Sequence, residues 1–159
     1  MALTVRPMVQ ADLPRAVEIW NDGWHDAHAA IVPPALTALR TPESFLARLD
    51  AGMAGAEVAE VEGQLAGFFI LRDAELYQFY VASTARGQGV AQTLMQRAET
   101  RIADEGHSTA WLDCSVGNDR AARFYEKCGW VNLGPRETSF DTGAGPFQIT
   151  AWRFEKALR

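Results

Sequence analysis

Apolar residues recur along this chain with two different periods, and the switches between them divide it into elements. Near the N-terminus Leu3-Thr-Val-Arg alternates as a short strand, and Asp12 before Leu13-Pro14 predicts an N-cap with proline in the first helical turn. The helix that follows carries Val17, Ile19, Trp20 and Trp24 at its apolar positions. Thr41-Pro42 repeats the start signal for a second helix, with Phe45, Leu46 and Leu49 as its stripe and Gly52 at its end. Between the two, residues 29–40 contain Pro33-Pro34, which predicts a long irregular connection.

Strand patterns take over from Ala56. Glu57-Val-Ala-Glu-Val, a turn at Glu62-Gly63 and Leu65 to Leu71 form a hairpin, and a turn near Arg72-Asp73 leads into a third strand, Glu75 to Val81. Val90, Leu94, Met95, Ala98 and Ile102 then return to helical spacing as far as Gly106. A strand from Thr109 to Val116 follows, then an N-cap at Asn118, a helix from Asp119 to Cys128 and a stop at Gly129. The tail predicts Trp130-Val-Asn-Leu, a loop from Gly134 to Pro146, and an alternating strand around Ile149 to Phe154. The expected fold is α+β, with a mixed, mostly antiparallel sheet and helices on both faces. At 159 residues and 48% hydrophobic content the chain suits one domain, 1–159, with a real core.

The junction between the third strand and its helix is the first place where chemistry is visible. Phe79-Tyr-Val-Ala-Ser-Thr-Ala-Arg-Gly-Gln-Gly-Val-Ala91 runs from a strand through a basic, glycine-bearing turn into an amphipathic helix. A helix start leaves backbone N–H groups unpaired and carries partial positive charge, so such a turn can hold a pyrophosphate. Gly87 and Gly89 allow close backbone approach, and Arg86 adds a full charge. The dinucleotide fingerprint fails, because position 92 is Gln where a third glycine is required. No nucleotide-triphosphate loop is present either. On these residues alone, a plain strand-to-helix connection remains open.

Composition narrows the partners. A net charge of -5 opposes a nucleic-acid role, since such proteins display a basic face. An acidic balance favours, weakly, a cationic small molecule or peptide. The N-terminus lacks a secretory pattern, no apolar run reaches membrane-span length, and a cytoplasmic location without membrane partners is expected. Cys114 and Cys128 are the only cysteines and suit buried free thiols; with His25, His28 and His107 they offer no zinc-like spacing, so no metal site is expected.

A second segment, Asn118-Asp-Arg-Ala-Ala-Arg-Phe-Tyr-Glu-Lys-Cys-Gly-Trp130, completes the pattern begun by the glycine turn. Arg86-x-x-Gly89-x-Ala91 followed by Asn118, Ala121, Phe124-Tyr125, Gly129 and an aromatic at 130 resembles the GCN5-related N-acetyltransferase superfamily. The resemblance covers most of the chain and is loosest before about residue 55; Ala85 and Ser83 depart from the usual pattern. It implies splayed central strands with acetyl-CoA between them. Arg86, Gly87, Gln88, Gly89, Val90 and Ala91 would wrap the pyrophosphate, and the main chain of Phe79 and Val81 would pair with the pantetheine arm as an added strand. Asn118 would hold that arm, although an N-cap explains it as well. The resemblance also leaves room for a homodimer.

The same resemblance implies an N-acetyltransferase in which a primary amine attacks acetyl-CoA directly in a ternary complex. The alternative is a non-catalytic acyl-CoA binding or sensing module. A lysine-like amine, with a pKa of about 10.4, is neutral in roughly one part in 2,500 at pH 7, a handicap of about 4.6 kcal/mol. By family position Glu75 is the candidate base, which burial beside Tyr77 and Phe79 would push toward neutrality, or else a solvated strand-end carboxylate. The Val81 N–H would serve as oxyanion donor and Tyr125 as the acid that protonates the departing thiolate, or as a core aromatic beside Phe124. Trp20, Trp24 and His28, at the end of the first helix, are candidate acceptor contacts, with core packing the competing role for the tryptophans. The Gly134–Pro146 loop is the other candidate wall.

Overall fold

The computed structural model describes residues 2–159. Its strands are β1 (Leu3–Pro7), β2 (Ala56–Val61), β3 (Gln64–Arg72), β4 (Glu75–Val81), β5 (Thr109–Ser115), β6 (Val131–Phe140) and β7 (Phe147–Ala157). They form a single seven-stranded sheet in the order β1-β2-β3-β4-β5-β7-β6. Every neighbouring pair is antiparallel except β4 with β5. The helices are α1 (Leu13–His28), α2 (Pro34–Leu39), α3 (Pro42–Ala51), α4 (Val90–Asp104) and α5 (Asp119–Lys127).

The helices cover both faces, and β3 shows how. Successive residues of a strand point to opposite sides. Phe68 packs against Trp20 of α1, at 5.8 Å between rings, while the Cα of its neighbour Gly67 lies under Leu94 of α4. Trp20 also meets Phe45 of α3 at 4.8 Å, so α1 and α3 form one layer. The buried positions of α4 are Val90, Leu94, Met95, Ala98 and Ile102, the stripe its spacing predicts. Close approach of α1 to β4 depends on Gly23, where an added Cβ would lie 2.7 Å from Tyr80 Cδ1.

Four local expectations change. Asp12 does not cap α1 with its side chain; the carboxylate instead accepts from the Val9 N–H at 2.8 Å and from Arg6 at 2.8 and 2.9 Å, pinning a short 3₁₀ turn to β1. Pro33-Pro34 starts a helix rather than breaking one, because proline at the first helical position sacrifices an N–H that has no partner there anyway. Leu46 is exposed, while Phe45 and Leu49 carry the inner side of α3. The segment after Gly134 is mostly strand: β6 continues to Phe140, paired with β7 across a register shift between Asn132 and Pro135. Only residues 141–146 form the connection.

The feature that matters most for function is where the sheet comes apart. β4 and β5 are joined only at Glu75 and Trp111, with the Trp111 N–H donating to the Ala74 carbonyl at 3.1 Å. Beyond that rung β4 stays with β3 and β5 with β7, and a wedge opens between them. Phe79 of β4 stacks on Phe124 of α5 at 5.6 Å, so α5 floors the wedge with aromatic surface.

Candidate active site

A cavity of about 1150 Å3 occupies the wedge. It runs from the start of α4, past Phe79, Val81, Cys114 and Tyr125, to Trp24, His28 and the turn at Asp141.

Its first end is the glycine turn. Gly87 and Gly89 have φ of 79° and 81°, left-handed values that cost an L-residue strain, and a Cβ at either would meet no atom within 4 Å. The first intrahelical bond of α4 runs from Thr93 to the Gly89 carbonyl. Among the described residues, no protein acceptor serves the N–H groups of residues 87–92. Those donors, with the dipole of α4 behind them, form an anion cradle open to the cavity. Arg86 stands at its rim, 3.9 Å from Asp26 of α1. Gly87, Gly89, Val90 and Ala91 line the cavity; the Gln88 side chain is exposed and off the wall, leaving that residue its main chain to contribute. Asn118 also lines it, with Oδ1 accepting from the Ala121 N–H at 3.4 Å as the cap of α5.

The middle of the cavity is a sheet edge. The Ala82 N–H donates to the Ala66 carbonyl at 2.8 Å, toward β3. Strand alternation therefore turns the main-chain groups of Val81 and Phe79 to the other edge, where β5 has already diverged. Tyr125 faces this edge from α5, its ring among Phe124, Trp130 and Phe154 at 5.8, 6.4 and 5.6 Å. Burial raises its phenol well above the ordinary value near 10, so it stays protonated. Cys114 lies on the same wall, and burial pushes its thiol up to about 12.

The far end is charged. Glu75 is mostly buried, its carboxylate 3.3 Å from Arg72; desolvation raises its pKa while Arg72 opposes the rise. Arg72 also pairs with Asp141 at 3.2 Å and lies over the Tyr77 ring at 3.5 Å. Arg153 pairs with Asp113 at 3.0 Å. Trp24 and His28 line this end, their rings stacked at 4.9 Å. The His28 Nδ1–H donates to the Trp24 carbonyl at 3.0 Å, and burial lowers the imidazole to about 4, so it is neutral with Nε2 unprotonated. Trp20 is fully buried between α3 and the sheet, away from the cavity, and is a core residue rather than an acceptor contact. His25 is likewise off the wall, bonded through Nε2 to the Arg40 carbonyl at 2.8 Å.

Sequence reasoning missed Arg40, Arg48, Arg72 and Arg153, all on the cavity wall. The acidic balance of the whole chain therefore does not extend into its cavity. A usable signal existed only for Arg48, which lies three residues after Phe45 and so on the inner side of α3.

Residues 8–130 match the family model described as the acetyltransferase (GNAT) family. Uncharacterized N-acetyltransferases of Mycobacterium bovis and Mycobacterium tuberculosis are each 32% identical over 130 residues, covering 70% of this chain and 80% of theirs. Among solved structures, the PaiA N-acetyltransferase of Thermoplasma acidophilum in complex with coenzyme A superposes with a TM-score of 0.70 at 18% identity, covering 99% of each chain. YncA of Salmonella typhimurium, a putative acetyltransferase solved with acetyl-CoA, gives 0.70 at 16% identity over 100% of this chain and 95% of its own.

Proposed function

Since the chain belongs to the GNAT acetyltransferase family, we propose that it transfers an acetyl group from acetyl-CoA to a primary amine by direct attack in a ternary complex. The observation that carries this reading is the continuity of one cavity, from the unpaired N–H groups at residues 87–92 to the free edge of β4 and on to Glu75.

The residues present suit the donor. Residues 86–91 would hold its pyrophosphate, and the outward main chain of Phe79 and Val81 its pantetheine arm, with Asn118 alongside. When bound, acetyl-CoA supplies an activated acyl thioester. Glu75 is the candidate proton acceptor for the incoming ammonium, directly or through water; its raised pKa brings it nearer the operating pH, where a base is most effective. The Val81 N–H would donate to the oxygen that gains charge, a job that needs no side chain. Tyr125 would return a proton to the leaving sulfur. Cys114, with a thiol near 12, has little thiolate at neutral pH, which supports direct transfer over an acyl-enzyme through that residue.

Thiol release from acetyl-CoA with a broad panel of amines tests the proposal. Turnover with at least one amine supports the enzyme; tight acetyl-CoA binding without turnover across the panel supports a sensing module instead. Tyr125→Phe should lower kcat about 100-fold while the KM for acetyl-CoA stays within about threefold, as removal of a general acid predicts. Equal loss of both would assign Tyr125 to packing.

A further inference from the structure

The charges at the far end of the cavity do not balance locally. Its carboxylates, Glu75, Asp113 and Asp141, are already paired with Arg72 and Arg153. Arg40 and Arg48 line the same cavity with no carboxylate partner among the described residues. Arg40 is 3% exposed; one Nη donates to the Asp141 carbonyl at 2.7 Å, and its Nε has no partner among the described residues. Arg48 is held by the Tyr77 hydroxyl, which accepts from its Nε at 3.1 Å and one Nη at 2.7 Å, while its other Nη is buried and unpartnered.

A guanidinium group that is largely out of water and has no counter-ion is costly. That cost is offset if the missing anion arrives with the ligand. Both guanidinium groups line the cavity, and the two oxygens of one carboxylate can be shared between them. Packing holds both side chains in place at the cavity: Arg48 lies over the Trp20 ring at 4.5 Å, and Arg40 is anchored to the β6–β7 turn.

We propose that the acetyl acceptor is a small amine that carries a carboxylate, an amino acid or close analogue, and that Arg40 and Arg48 together bind that carboxylate. The inference rests on the acetyltransferase function proposed above and names the substrate class of that site. It runs against the sign of the whole chain, whose net charge of -5 favours cationic ligands. Affinity here follows the charges that face the ligand, not the sum over the surface.

The test offers the full-length chain acetyl-CoA and a set of amino acids, each as the free acid and as its primary amide. The amide has nearly the same shape and the less protonated amine, so a preference for the acid cannot come from the nucleophile. The expected result is a kcat/KM at least about tenfold higher for the acid in the accepted members, the scale of hydrogen bonds to a charged group. That acid-to-amide ratio should fall toward one in Arg48→Met and Arg40→Met, with Arg40→Lys between them and the wild type. Amides that serve as well as acids, or a ratio that survives both methionine substitutions, overturn the assignment and leave the acetyltransferase standing. If no amine is acetylated the enzyme reading fails, and titration calorimetry with the N-acetylated acids and their amides then decides the pocket. Selective binding of the acids, lost in Arg48→Met, supports it; equal binding, or none by either, overturns it.

Discussion

Glu75 combines two opposing influences that a pH profile can separate. Desolvation raises its pKa and Arg72 works against that rise, with the net direction upward. A base must be deprotonated to accept a proton, so activity should climb with pH through a limb placed above the ordinary carboxylate range. Glu75→Gln should lose that limb and most of the turnover; an unchanged profile would remove Glu75 from the chemistry. His28 offers a stability counterpart. Its folded pKa, about 4, lies below the unfolded value near 6.5, so the unfolded chain binds the proton more readily and the contribution is lost as pH falls from 6.5 toward 4. Wild type should lose roughly 3 kcal/mol more than His28→Gln over that range, read from urea unfolding at each pH. The type and approximate place of Glu75, Tyr125, Trp24 and His28 were legible in the sequence. Trp20 was not distinguishable from Trp24 there: both share one helical face, and only the elements packed against each put one in the core and the other on the cavity wall.

Elements were predicted best where the signal is local. The stripe of α4 and the caps of α3 and α5 depend on spacings of three or four residues and on one side chain meeting one N–H, and they formed as expected. Two of the failures lie where proline or glycine allowed two outcomes, while Asp12 was drawn from its cap by Arg6 and Leu46 turned to solvent. Pro34 opens α2, and Gly134-Pro135 interrupts the pairing of β6 without ending the strand. The contact between α1 and β4 yields a prediction in which two effects oppose each other. Gly23→Ala gains about 1 kcal/mol of helix propensity, but its Cβ would press on a Tyr80 ring packed against Trp20 and Phe68. Overpacking costs about 1–3 kcal/mol, so a net loss of roughly 1 kcal/mol is expected in chemical unfolding. A stabilised variant would show that α1 can lift from the sheet without cost.

At the scale of the whole molecule, the split between β4 and β5 interrupts the sheet's hydrogen bonding, leaving the strands on either side joined through one rung and the helices across it. A donor lying in the split would contact both sides and should stabilise the fold as a unit. At about 100 times its Kd, coenzyme A should add about 2.7 kcal/mol and raise Tm by roughly 5–10 °C. Absence of both binding and a shift would mean that the split is closed to the cofactor in solution. The sequence by itself determined the order of elements apart from α2, the turn at residues 86–91 and the aromatic pair Phe124-Tyr125 of α5, because each arises from residues close together in the chain. The family resemblance anticipated that the central strands splay, and only the tertiary structure decided which tryptophan reaches the cavity and that Arg40 and Arg48 line it with no carboxylate partner among the described residues. Those outcomes depend on what each side chain meets from distant elements, and the burial of a charge is set by its surroundings in space rather than by its neighbours in sequence.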